Sequence, residues 1–207
     1  VLSCLFQTYG EEFLDLPLHL FKKIPSEKQR IVLQMIKNKF NSPDTSSLGR
    51  LFDLVASLLN ICQRATYEGQ PAIMLEQHAP KTIDDFNSYD FHFQKDNGIY
   101  TISSTHLIRP IVQDLLAGEQ TETIAGKFHR TLITMFTNLC VRLSHETAVK
   151  RVALSGGVFQ NIKLLNGMLK ELSRNGFDVY FQQQVPTNDG GISLGQAAFV
   201  RDFVEKC

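Results

Sequence analysis

No two of the four cysteines, Cys4, Cys62, Cys140 and Cys207, lie close together, and the chain has no C-x-x-C pair. That removes zinc ribbons and thioredoxin-type redox sites, and free structural thiols in a reducing compartment are expected. The chain also lacks an apolar run near the ~18–20 residues a membrane span needs. Its start, VLSCLFQTYGEE, has neither a charged n-region nor a small-residue cleavage site, so a signal peptide is not expected. Net charge is absent too: 21 basic and 21 acidic residues cancel, which leaves no global field for collecting nucleic acid or anionic membrane. A cytoplasmic protein with no nucleic-acid and no membrane partner is expected. Internal repeats and low-complexity segments are lacking as well.

What remains is an ordinary globular composition, with 43% apolar and 20% charged residues over 207 positions. At roughly 100–200 residues per domain this makes one or two domains. The first residue is Val rather than Met, which suggests a fragment or a processed chain.

Residues 1–45 read as an interrupted helical lead-in, with Pro17 starting or kinking a helix and Ser26 capping the next. Residues 48–63 carry an apolar stripe of Leu51, Phe52, Val55, Leu58 and Leu59, with Arg50 and Asp53 outside it. TYEGQPA reads as a loop and AIMLEQHA as a short helix. From residue 89 the period changes to an apolar–polar alternation with Asn97-Gly98 in its middle, which predicts a β-hairpin. Pro110 must start or bend the helix after it, and a long helix follows over residues 122–148. The last hundred residues then run α-β-α-β-α, favouring an α/β domain with helices on a small sheet.

Three stretches can carry chemistry. In VALSGGVFQN a strand ends at Ser155-Gly156-Gly157 and a helix is expected at once, with Asn161 about one turn inside it. Adjacent glycines allow a sharp turn and a close approach to a ligand, and a helix start favours phosphate. A tight strand–helix turn with no ligand explains the same residues. In VPTNDGGISLGQA, Asp189 precedes a helix, where it serves as a cap or turn former, or as a metal or nucleotide carboxylate. In an α/β sheet the two glycine turns would share one edge. The third stretch joins Gly49, Arg50 and Asp53 to the loop Tyr67-Glu68-Gly69, and a solvated helix face plus a turn accounts for it equally well. The pair Gly156-Gly157 fits neither a Walker A nor a G-x-G-x-x-G loop, and Ser155 is in no G-x-S-x-G elbow. His129 and His145 read as surface or hydrogen-bonded histidines on an apolar helix.

SLGRLFDLVASLL, TYEGQPAIMLEQHA, ALSGGVFQN and VPTNDGGISLGQA stand in one order over most of residues 43–200. Together they resemble the carboxy-terminal part of the HypF hydrogenase-maturation carbamoyltransferases, a part similar to the tRNA threonylcarbamoyladenosine synthase family. The resemblance implies an α/β, actin/Hsp70-like (ribonuclease H-like) lobe, helix-rich with a small mixed sheet, over residues 46–207 after the lead-in. It implies nucleotide contacts by Asp53, Gly69, Gly156, Gly157 and Asn161, and Asp189 as a metal ligand. At Gly69 the order is Glu-Gly-Gln where the family has a glycine pair. The family's H-x-x-x-H metal histidines are absent, since histidines 19, 78, 92, 106, 129 and 145 include no two that are four apart.

The implied cofactors are ATP or carbamoyl-adenylate and, in the complete enzyme, a divalent metal, iron or zinc. The implied partners are HypE and the missing N-terminal portion of the same enzyme. HypE's acceptor is its terminal cysteine; Cys207 invites comparison, but truncation is the better explanation of a cysteine at this chain end. The implied activity is carbamoyl transfer to HypE during [NiFe] hydrogenase maturation, with little or none from this stretch alone. The alternatives are a non-catalytic nucleotide-binding or docking lobe, a related O-carbamoyltransferase, or the tRNA synthase.

Overall fold

Apolar residues at three- and four-residue spacing set most of the chain as helix. The computed structural model describes residues 1–204, with side chains through Arg201; Cys207 lies outside the described residues. In order come α1 (Leu2–Tyr9), α2 (Ser26–Lys37), α3 (Leu48–Leu58), α4 (Gln70–His78), β1 (Phe93–Asp96), β2 (Ile99–Ile102), α5 (Ser104–Leu116) and α6 (Thr121–Thr147). Then follow β3 (Arg151–Leu154), α7 (Ile162–Arg174), β4 (Asp178–Phe181) and α8 (Ile192–Val204). This is the helix-rich α/β arrangement expected. Two compact units divide it, Val1–Leu132 and Ile133–Cys207, and the division falls within α6. No helix among the described residues is long and apolar enough to cross a membrane.

The strands correct one expectation. Instead of one small mixed sheet, the described residues form two separate two-stranded sheets. β1 and β2 are antiparallel around Asn97 (φ 48°) and Gly98 (φ 82°), the positive-φ pair that a tight hairpin turn requires. β3 and β4 are parallel, from Arg151 opposite Asp178 to Leu154 opposite Phe181, and α7 makes the crossover. A two-residue turn lets a hairpin complete itself locally, whereas a parallel pair needs such a crossover.

In the first unit the core centres on Phe52, Val55, Leu75, Ile108, Ile111, Ile124 and Phe128, all at most 1% exposed. Phe52 and Phe128 meet edge to face at 5.0 Å. His129 is fully buried against both rings, with Nδ1 2.8 Å from the Ala125 carbonyl oxygen, so it is a hydrogen-bonded core histidine. The first 45 residues join this unit through α1 and α5. Arg109 donates to the Thr8 carbonyl at 2.8 Å, and its guanidinium lies 4.8 Å over the Tyr9 ring.

Ser26 is the first helical residue of α2, not its cap; Pro25 holds that position and makes no side-chain cap bond. The amide of Gln29 instead secures the helix start, donating to the carbonyls of Phe21 (3.2 Å) and Ile24 (2.7 Å). Pro110 sits inside α5.

In the second unit Leu164, Met168 and Leu172 recur every fourth residue on α7 and are buried, as are Leu154 and Phe177. A Cβ on Gly167 would come 2.9 Å from Ile133 Cγ1, so glycine there lets α7 lie close to α6.

The hairpin begins later than its alternation suggests because Tyr89 is tied elsewhere. Its N–H donates to Thr131 Oγ1 and its hydroxyl to Asp114 Oδ2, both at 2.8 Å, and Lys127 pairs with the same carboxylate at 2.8 Å. Burial and this carboxylate push the phenol well above its usual range. Tyr89→Phe should lower the unfolding free energy by about 1 kcal/mol. A urea titration reads it, and an unshifted midpoint would show that the bond contributes nothing.

Candidate functional site

β3 ends at Leu154, and the chain turns through Ser155 and Gly156. Gly156 has φ 106° and ψ 156°, a region essentially reserved for glycine. A 3₁₀ turn, Gly157–Gln160, follows before α7 starts at Ile162. The expected immediate helix is therefore delayed, and Asn161 is not one turn inside it. Asn161 is instead the N-cap of α7, 8% exposed, with Oδ1 accepting from the Leu164 N–H at 2.9 Å. Its side chain supplies the acceptor that the first helical turn lacks.

The second turn is built differently. Asn188 Oδ1 accepts from the Gly190 N–H at 3.0 Å, and the Gly191 N–H donates to the Asn188 carbonyl at 2.9 Å. The short 3₁₀ turn Asp189–Gly191 leads straight into α8. A Cβ on Gly191 would sit 2.7 Å from the Pro186 carbonyl oxygen, so no side chain fits. The capping role belongs to Asn188, while Asp189 points its carboxylate from an exposed position.

The two turns meet. The Gly156 N–H donates to the Thr187 carbonyl at 3.0 Å. Thr187 Oγ1 lies 3.1 Å from the Gly156 carbonyl oxygen. A Cβ on Gly157 would stand 3.7 Å from Asn188 Cβ. Gln182 Nε2 donates to Ser155 Oγ at 2.8 Å. Sequence reasoning did not find Gln182 or Thr187, because neither belongs to a spaced motif.

Asp53 and Gly69 belong to the first unit. Ser47 caps α3 by accepting from the Arg50 N–H at 3.4 Å. Asp53 is half-buried on that helix, and no hydrogen bond or ion pair reaches its carboxylate among the described residues. Burial pushes its pKa up, partly offset by Arg50. Gly69 is the left-handed N-cap of α4 (φ 77°), and the helix starts at Gln70 with Pro71 in its first turn. Among the described residues no group of three or more His, Cys, Asp or Glu side chains could hold a metal ion.

Residues 1–196 match the family model "Carbamoyltransferase, Kae1-like Domain, second subdomain". The probable carbamoyltransferase HypF of Methanocaldococcus jannaschii is 31% identical over 95% of the chain and 25% of its own length. The carbamoyltransferase HypF of Synechocystis sp. is 31% identical over 94% of the chain and 26% of its own length. A full-length HypF crystallised in its phosphate- and nucleotide-bound form superposes with a TM-score of 0.89 at 34% identity, over 98% of this chain and 26% of that one. The chain belongs to the HypF carbamoyltransferase family.

It spans about a quarter of the length of these HypF relatives. A tRNA N6-adenosine threonylcarbamoyltransferase of Caldicellulosiruptor saccharolyticus is more distant, at 24% identity over 74% of the chain and 45% of its own length.

The glycines at the paired turns have separable reasons. Gly156 is demanded by its backbone angles and Gly191 by the Pro186 carbonyl. Gly157 has neither a positive φ nor a close neighbour. Gly156→Ala should cost about 1–3 kcal/mol of stability. Gly157→Ala should stay within about 0.5 kcal/mol of the parent. Thermal denaturation of both variants checks this, and equal losses would remove the distinction.

A second test concerns Asp53. Its raised folded pKa means that the native state holds the proton more tightly than the unfolded chain. Its effect on stability therefore worsens as pH rises from about 4, the unfolded value, through the folded one. Asp53→Asn should be more stable than the parent at pH 7, with the gain vanishing below pH 4. A gain that persists in acid would exclude carboxylate desolvation as the cause.

Proposed function

We propose that this chain is the second lobe of an actin/Hsp70-like (ribonuclease H-like) nucleotide-binding domain, entered through the helical lead-in of residues 1–45. In the complete enzyme it would serve carbamoyl transfer from carbamoyl-adenylate, made from carbamoyl phosphate and ATP, to the C-terminal cysteine of HypE. The supporting observation is the meeting of the turns at residues 155–161 and 186–191, joined by Gly156 and Thr187 at 3.0 Å. Two glycine-rich turns side by side let a ligand come close to backbone with no side chains above it, while the N–H groups of Gly156, Gly190 and Gly191 are spent on holding the turns themselves.

Carbamoyl-adenylate is an activated mixed anhydride. The HypE thiolate sulfur attacks the carbamoyl carbon, the bond from that carbon to the phosphate oxygen breaks, and AMP leaves with the electron pair; the thiol proton goes to solvent. AMP departs readily, so the protein's task is to orient the anhydride and keep competing water away. Gly156 and Gly157 would approach the phosphate and Asn161 the nucleotide. For Asp53 and Gly69, nucleotide contact rests on the match of their motifs to the family. Asp189 alone does not make a metal site. Its proposed role is one donor to a divalent ion whose remaining ligands lie outside this chain, and no step here depends on that ion.

Asn161→Ala is a poor probe, because loss of the cap should itself cost about 1 kcal/mol. Asn161→Ser keeps a capping oxygen and removes the amide. In the complete HypF polypeptide it should weaken ATP binding about tenfold, roughly 1.4 kcal/mol, with thermal stability held. Calorimetric titration reads the first quantity and melting the second. Unchanged ATP affinity returns Asn161 to a purely structural role, and absence of saturable ATP binding by the parent overturns the nucleotide reading.

A further inference from the structure

We propose that Gln182 is a positioning residue that sets the spacing of the two glycine turns, an inference that rests on the nucleotide reading of that site. Gln182 is the first residue beyond β4. Because Leu154 pairs with Phe181, it comes alongside Ser155 at the end of β3. Its amide bridges the two loops: Nε2 donates to Ser155 Oγ at 2.8 Å, and Oε1 lies 3.2 Å from Thr187 Oγ1. The Thr187 hydroxyl is shared with the Gly156 carbonyl at 3.1 Å, and the Gly156 N–H returns to the Thr187 carbonyl at 3.0 Å. The result is a closed circuit of Gln182, Ser155, Gly156 and Thr187.

Little else is available to fix this spacing. Gly156, Gly157, Gly190 and Gly191 have no side chains to pack, and Asn188, Asp189 and Gly190 are exposed. Hydrogen bonds therefore have to do what apolar contacts do elsewhere in the unit. The buried residues of the second unit, such as Leu164, Met168 and Leu172, lie on α7 and take no part in the circuit. Removing the Gln182 amide should thus loosen the turns without unfolding the lobe. A ligand surface assembled from two separate loops loses affinity when the loops drift apart, since ordering them must then be done at the moment of binding.

The test uses the complete HypF polypeptide, with ATP as the titrant and melting temperature as the control. Gln182→Leu should raise the Kd for ATP about five- to tenfold while the melting temperature stays within a few degrees. Thr187→Val should do the same. The double variant should be little worse than the weaker-binding single variant, because both substitutions open one circuit. Losses that multiply in the double variant, an unchanged Kd in Gln182→Leu, or a weakening matched by a large fall in melting temperature would each overturn the positioning role. Normal ATP binding by the parent separates these outcomes from failure of the nucleotide reading, which would take the inference down with it.

Discussion

The parallel register of β3 and β4 is the constraint on which the candidate site depends. Leu154 lies opposite Phe181, so both strands finish level and the chain leaves both on the same edge. A slip of one residue would move Val152 and Leu154 from the more buried side of the strand to the other face. The apolar pattern resists that slip, since Leu154 is 5% exposed while Arg151 and Ala153 face outward. The register is thus held by burial, and burial indirectly places Gly156 against Thr187. Two turns made largely of glycine backbone inherit their geometry from an apolar strand pair.

That dependence explains why the turns need polar fastening. A loop without side chains gains nothing from packing and carries a large conformational entropy. The second unit answers with short-range devices: Asn161 caps α7, Asn188 closes its own turn, and the Gly191 N–H returns to Asn188. Each device also consumes polar atoms. With Asn161 Oδ1 engaged on Leu164, the contact proposed for this residue would have to be made by a side chain already committed to the cap, which is why alanine there confuses folding with binding.

Much of this was legible in the sequence. Period-3.6 apolar spacing located the helices, Asn97-Gly98 located the hairpin, and the two glycine pairs marked turns on one sheet edge. The failures were local and physical. Ser26 looked like a cap, but Pro25 already holds the extended conformation and Gln29 supplies the hydrogen bonds. The helix after Gly157 was expected too early, because a 3₁₀ turn and a capping asparagine have no periodic signature. One mixed sheet was expected where two pairs exist, since strand spacing along a chain does not say which strands pair. Gln182 and Thr187 were invisible because their importance comes from a contact between loops, not from a motif.

Asp53 is the case in which the fold has no use for what the sequence supplies. A carboxylate held half-buried on α3, with its pKa raised by burial, opposes folding at neutral pH. Arg50 offsets only part of that, and a neutral residue would serve the helix better. A partly desolvated acceptor gains most from a ligand that brings its own donors, such as the hydroxyls of a ribose, because the hydrogen bonds it lacks in the fold are then made on binding. On this reasoning the nucleotide contact proposed for Asp53 would turn the same burial that costs stability into a gain on binding.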